Sequence, residues 1–165
     1  MRARRLAVIG TGLMGASVAL AARRAGVEST VGFDPAPEAL AAAVERGAVE
    51  AASSTADAVD GADLAVVAAP VTRLPAVVEE VLAASGDGCT VTDLGSTKQA
   101  VCAAAGASAR FVGGHPVAGS EARGAAHARE DIFEGATWFL TPLASTDTDR
   151  YRLVHGFVGE LGATP

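Results

Sequence analysis

Leu6-Ala7-Val8-Ile9-Gly10-Thr11-Gly12-Leu13-Met14-Gly15 decides the fold of this 165-residue chain. The apolar run Leu6–Ile9 reads as a buried strand. The glycines stop it and open an alanine-rich helix, Leu13–Ala25, which Gly26 closes near its C-terminus. Glycines at this spacing carry little weight alone. Here a strand precedes them, a helix follows, and Asp34 ends the next strand, Thr30–Phe33. Asp34 lies about 19 residues past Gly15, close to the roughly 20 that a ribose-binding acid requires.

In such a unit Gly10 permits the tight turn, Gly12 lets a pyrophosphate approach the backbone, and Gly15 lets helix and strand pack closely. Leu13 and Met14 begin the helix whose free N-terminal amides face the phosphates. Asp34 would accept hydrogen bonds from the adenosine ribose and repel a 2′-phosphate. With no arginine beside it, NAD is favoured over NADP. The competing role for Asp34 is to open a turn before Pro35.

Outward from this unit, apolar runs alternate with helical patterns to the end of the chain, the pattern of a parallel sheet with crossover helices. Glu38–Arg46 is a helix, Val49–Ala51 a short third strand, and Leu64–Ala68 a fourth strand closed by Pro70. Leu74–Ala84 is helical, Thr90–Asp93 a fifth strand, Lys98–Ala105 a helix and Arg110–Val112 a sixth strand. Pro116–Gly135 is loop-rich, with one turn of helix at Glu130–Phe133. Trp138–Thr141 is a seventh strand with Trp138 in the core. Asp147–Leu161 is an amphipathic helix presenting Tyr151, Val154, Phe157, Val158 and Leu161. The expected fold is α/β, a Rossmann-type doubly wound and mainly parallel sheet, with residues 1–165 as one domain.

Composition excludes several classes. Half of the chain is hydrophobic, enough for a sizeable core, and the net charge of −6 argues against a nucleic-acid or anionic-membrane surface. Arg2, Arg4 and Arg5 read as a solvated terminus. No apolar run reaches the roughly 18–20 residues that span a bilayer. A cleaved leader would remove the first strand, so none is expected. Cys89 and Cys102 are too few for a disulfide framework, which fits small core residues in a cytoplasmic protein. No His/Cys/Asp cluster has ligand spacing, so no metal site is expected, and His127 and His155 read as loop and exposed helix.

The chemistry concentrates in two runs. In Gly113-Gly114-His115-Pro116-Val117-Ala118-Gly119-Ser120-Glu121, His115 ends a late strand, and the carboxyl ends of strands are where ligands sit in open α/β sheets. A histidine moves protons near pH 7, so beside a hydride acceptor it points to oxidation of an alcohol. In Asp93-Leu94-Gly95-Ser96-Thr97-Lys98, Ser96 either binds a substrate hydroxyl or orients the imidazole, or Ser96 or Thr97 caps the following helix. Lys98, the only lysine, is a minor candidate for a substrate contact, an exposed ammonium being the commoner fate. Glu121 gates the pocket, pairs with a cationic substrate-binding residue, or is simply solvated.

Together, Gly10–Gly15, Asp34, Ala69-Pro70-Val71, Asp93–Lys98, Gly113–Glu121, Glu134–Trp138 and Leu140-Thr141-Pro142 resemble the prephenate/arogenate dehydrogenase family. The resemblance runs through essentially the whole chain, and GGHPxAGSE with DxGSxK is its most specific part. It implies NAD-dependent oxidative decarboxylation of prephenate, or of arogenate, in tyrosine biosynthesis. His115 would accept the proton of the ring C4 hydroxyl, and Ser96 would bind that hydroxyl. Pro70 and Val71 would join the cofactor site; Lys98, Gly114, Ser120 and Glu121 would touch or gate substrate.

The family's helical C-terminal domain, which supplies the dimer interface and a carboxylate-holding arginine, has no counterpart here. The chain is therefore expected to carry half of the catalytic site and to turn over poorly alone. A homodimer is expected only if that domain exists. Other readings are a same-family enzyme acting on 4-amino-4-deoxyprephenate, a β-hydroxyacid dehydrogenase with a catalytic lysine, and a non-catalytic NAD-binding module.

Overall fold

A computed structural model describes residues 2–119 and 121–165. Its strands are β1 (Arg5–Ile9), β2 (Ser29–Phe33), β3 (Glu50–Ala51), β4 (Leu64–Val67), β5 (Thr90–Asp93), β6 (Phe111–Pro116) and β7 (Trp138–Pro142). The helices are α1 (Leu13–Arg24), α2 (Pro37–Glu45), α3 (Thr55–Val59), α4 (Leu74–Ala84), α5 (Gln99–Ala105) and α6 (Thr148–Glu160). All seven strands form one sheet in the order β3-β2-β1-β4-β5-β6-β7. The first six run parallel and β7 is antiparallel to β6. The chain winds outward from β1 to β3, then crosses back to β4 on the other side of β1. That reversal makes the sheet doubly wound and opens a crevice beyond the ends of β1 and β4.

Strand alternation divides the core. Leu6 and Val8 of β1 and Leu64 and Val66 of β4 face a cluster that includes Val18 of α1 and Val154 and Phe157 of α6. Ala7, Ile9, Ala65 and Val67 face the opposite side with Val59, Val78 and Val101 of α3, α4 and α5. Leu6 and Leu64 are fully buried, and truncating either to Ala would cost about 2–5 kcal/mol. The buried face of α1 is mostly Gly, Ala and Ser, so the helix can lie close to the sheet. Among the described residues no helix is long and apolar enough to cross a membrane.

The order and type of the expected strands match the structure, and most boundaries agree within two residues. Three differences matter. Helix α3 lacks an expected counterpart; Ser54 caps it by accepting from Asp57 N at 3.1 Å, and Asp57 reaches back to Ser53 N at 2.7 Å. That backbone hydrogen bond from Ser53, followed by the one from its hydroxyl, holds the Asp57 carboxyl below the usual range. The helical turn lies at Ala125–His127 as a 3₁₀ segment, while 130–135 form plain turns. Strand β6 runs on through both glycines to Pro116 instead of ending at Val112.

Candidate functional site

The glycine turn is built as its spacing demands. Gly10 has φ +94°, and a Cβ there would sit 2.7 Å from Ala68 O. A Cβ on Gly15 would be driven into the carbonyl of Gly10, so the first turn of α1 closes over the strand only because both lack side chains. Gly12 is different: a Cβ there would meet nothing within 4 Å. The space before it is open, as a docking phosphate needs. From Leu13 onward the helix presents its unpaired first-turn amides toward that space.

The turn floors a cleft of about 540 Å³ whose lining includes Gly10, Gly12, Leu13, Met14, Asp34 and Pro70. Such a size is usual for a small-molecule or cofactor site. Val71, also expected here, is 45% exposed and outside the lining. The sequence reading missed Arg73 after β4 and the segment Ala122-Arg123-Gly124, which also line the cleft.

Asp34 opens the turn before Pro35 and also lines the cleft. Its Oδ1 accepts from Ala36 N at 2.9 Å, the geometry of a turn opener, and its Oδ2 accepts from Thr11 N at 2.7 Å. The carboxylate is only partly buried and still lines the cleft, leaving acceptor capacity for a ligand hydroxyl.

His115 lies on an arm of the sheet. Strand β6 pairs with β5 only at Phe111 and Val112, while β7 accompanies it from Val112 to Pro116, with His115 opposite Phe139. Beyond Asp93, the last residue of β5, side chains replace the missing strand. Asp93 Oδ1 accepts from Gly114 N at 3.0 Å, and its Oδ2 accepts from Gly95 N at 2.9 Å and from the Lys98 ammonium. Lys98 Nζ also donates to Gly114 O at 2.7 Å. The peptide groups of Gly114 are thus held by an ion pair whose acid is fully buried, one residue before the histidine. Gly114 must be glycine, since a Cβ would lie 2.5 Å from Asp93 O and 3.0 Å from Trp138 Nε1.

The expected site residues therefore fall into groups. Lys98, expected to contact substrate, faces inward with its side chain 18% exposed and holds the strand. Asp93, which the sequence reading did not single out as a site residue, anchors the arrangement. The imidazole of His115 is partly buried, 6.3 Å from the half-exposed ring of Phe139. Ser96 is exposed, and it does not cap α5, whose N-cap position is Lys98. Ser96 and His115 are not hydrogen-bonded to each other, and neither lines the glycine-turn cleft. Glu121 is exposed, and Ser120 falls outside the described residues. Trp138 is core, packed on Phe133 with ring centroids 5.1 Å apart.

Sheet order, glycine turn and an acid ending the second strand define a nucleotide-binding domain of the Rossmann type. The comparisons with known proteins then fix the family. This chain belongs to the family described as prephenate dehydrogenase, nucleotide-binding domain, whose model matches residues 18–164. It is 39% identical over 146 residues to a prephenate dehydrogenase of Bacillus subtilis, covering 84% of this chain and 39% of the relative. Prephenate dehydrogenase of Aquifex aeolicus, solved with hydroxyphenyl propionate and NAD+, superposes with a TM-score of 0.89 at 32% identity, covering 98% of this chain and 58% of that one. Arogenate dehydrogenase of Synechocystis superposes at 0.86 with 28% identity, covering 97% and 58%. The chain spans well under half the length of the curated relatives it matches.

Proposed function

We propose that this chain is the NAD-binding domain of a dehydrogenase that oxidatively decarboxylates prephenate or arogenate, and that it carries part of the catalytic site. The observation that supports this best is Asp34, joined to the glycine turn through Thr11 N and lining the cleft. Placed there, its carboxylate receives ribose hydroxyls and repels a 2′-phosphate, which selects NAD. Gly12 and the first amides of α1 take the pyrophosphate. When bound, NAD supplies the hydride acceptor.

His115, fixed through Gly114 by Asp93 and Lys98, accepts the proton of the ring C4 hydroxyl, and Ser96 binds that hydroxyl. Loss of the ring carboxylate as CO2 aromatises the product. A reducing, cytoplasmic setting belongs to the same proposal and rests on the free thiols Cys89 and Cys102.

Calorimetric titration of the chain with NAD and NADP tests the cofactor assignment. NAD should bind, and Asp34→Ala should weaken it while narrowing the gap to NADP. Equal affinity of the unaltered chain for both cofactors would refute the role of Asp34. In the enzyme that contains this chain, assayed with prephenate and arogenate in turn, His115→Ala should lower kcat about 10²–10⁴-fold. Full kcat in that variant would refute the proton-acceptor role.

A further inference from the structure

The arginines of this chain are unevenly occupied. Among the described residues, the guanidinium groups of Arg2, Arg5, Arg23, Arg24, Arg46, Arg110, Arg129, Arg150 and Arg152 each have a hydrogen-bond or ion-pair partner. Those of Arg4, Arg73 and Arg123 have none, and two of these three line the glycine-turn cleft. The only acid in that lining, Asp34, is engaged by backbone amides and forms no ion pair with either arginine.

Both arginines have a held backbone beneath a free side chain. Arg73 N donates to Pro70 O at 2.8 Å, fixing it just ahead of α4. Arg123 precedes Gly124, at φ +84°, and the 3₁₀ segment Ala125–His127. That segment is tied to α1 and α2. Ala125 and Ala128 are buried, Arg129 N donates to Ser17 Oγ at 3.0 Å, and Arg46 donates to Ala128 O at 2.7 Å. Arg123 is therefore anchored to the same helix whose N-terminus opens into the cleft. Two free cations at a cleft floored by amides, in a chain of net charge −6, suit a doubly charged ligand.

We infer that Arg73 and Arg123, which line the same cleft as the glycine turn, bind the pyrophosphate of the dinucleotide. The inference rests on the proposed NAD site and adds two side chains to it. Guanidinium groups recognise paired phosphate oxygens through several N–H donors, whereas the amides of α1 supply a fixed partial charge.

The test is calorimetry of the intact chain with NAD, NADP and adenosine, for the unaltered protein and for Arg73→Ala, Arg123→Ala, the double variant and Arg123→Lys. Circular dichroism would verify that each variant is folded. Each alanine variant should weaken NAD about tenfold, the loss expected for a hydrogen bond to a charged group. Adenosine should bind as before, and Arg123→Lys should retain part of the affinity. NAD affinity unchanged within twofold in the double variant would overturn the inference while leaving the NAD site standing. Equal weakening of adenosine would also overturn it, by showing that packing and not phosphate is lost. NADP binding tighter than NAD and abolished by Arg73→Ala would assign the arginines to a 2′-phosphate instead. Failure of the unaltered chain to bind NAD would refute the cofactor reading itself and this inference with it.

Discussion

Replacing Lys98 by Met should destabilise the domain by about 3 kcal/mol, the low end of the range for breaking a buried ion pair. Asp93 is fully buried, so its carboxylate cannot turn to water when the ammonium goes. It keeps two backbone donors, Gly95 N and Gly114 N, and the site of the lysine is partly exposed; both facts pull the loss toward the lower bound. Gly114 O loses its donor in the same step. In a domain of this length each kcal/mol moves Tm about 2–4 °C, so the expected fall is about 6–12 °C.

Urea titration and thermal scans of Lys98→Met, Asp93→Asn and the double variant would measure it. The double variant should be less destabilised than the sum of the singles by at least about 1 kcal/mol, because the neutral amide no longer needs a cation. A Lys98→Met loss below about 1 kcal/mol, the worth of an exposed pair, would refute the claim that this pair replaces a strand. So would strictly additive losses.

Gly114→Ala should cost at least about 1–3 kcal/mol through overpacking, since the added methyl would lie 2.5 Å from a backbone oxygen; an unchanged urea midpoint would contradict the close approach. Burial pushes the Cys89 thiol up to about 11. The folded state then keeps a proton that the unfolded chain loses above its ordinary value near 9.0. The stability this supplies is complete below pH 9 and falls as pH rises toward 11. Urea midpoints across that window should fall less steeply in Cys89→Ala, and identical slopes would sink the assignment. Mass spectrometry after iodoacetamide treatment at pH 8 should find the partly exposed Cys102 modified before Cys89.

The sequence reveals most where a structure is determined locally. The turn at Gly10–Gly15 and its strand and helix depend on neighbours within a few residues, and Asp34 announces itself by distance along the chain. The extent of β6 is different. Gly113 and Gly114 look like strand breakers, yet β7, returning from more than twenty residues away, supplies the hydrogen bonds that keep them extended. Asp93 and Lys98 stand in a recognisable run, but their task appears only when Gly114 arrives beside them. Helix α3 is too short for any hydrophobic periodicity. Its signal, Ser54 three residues before Asp57, lies in the spacing of a cap. Arg73 and Arg123 resemble solvated charges in any linear reading, because only the folded chain distinguishes an arginine with a partner from one without.

The two amides held by Asp34 have a consequence for redesign. A smaller neutral residue in its place would admit a 2′-phosphate, and the same change would release Thr11 N and Ala36 N from their acceptor. The peptide that shapes the glycine turn would then loosen together with the proposed ribose site. On the proposed role of Asp34, cofactor preference and turn rigidity are thus a single trait here. A switch toward NADP would then require a second substitution near Thr11 or Ala36 to restore the lost acceptor, and it will be harder to reach by one mutation than the partly exposed position of Asp34 suggests.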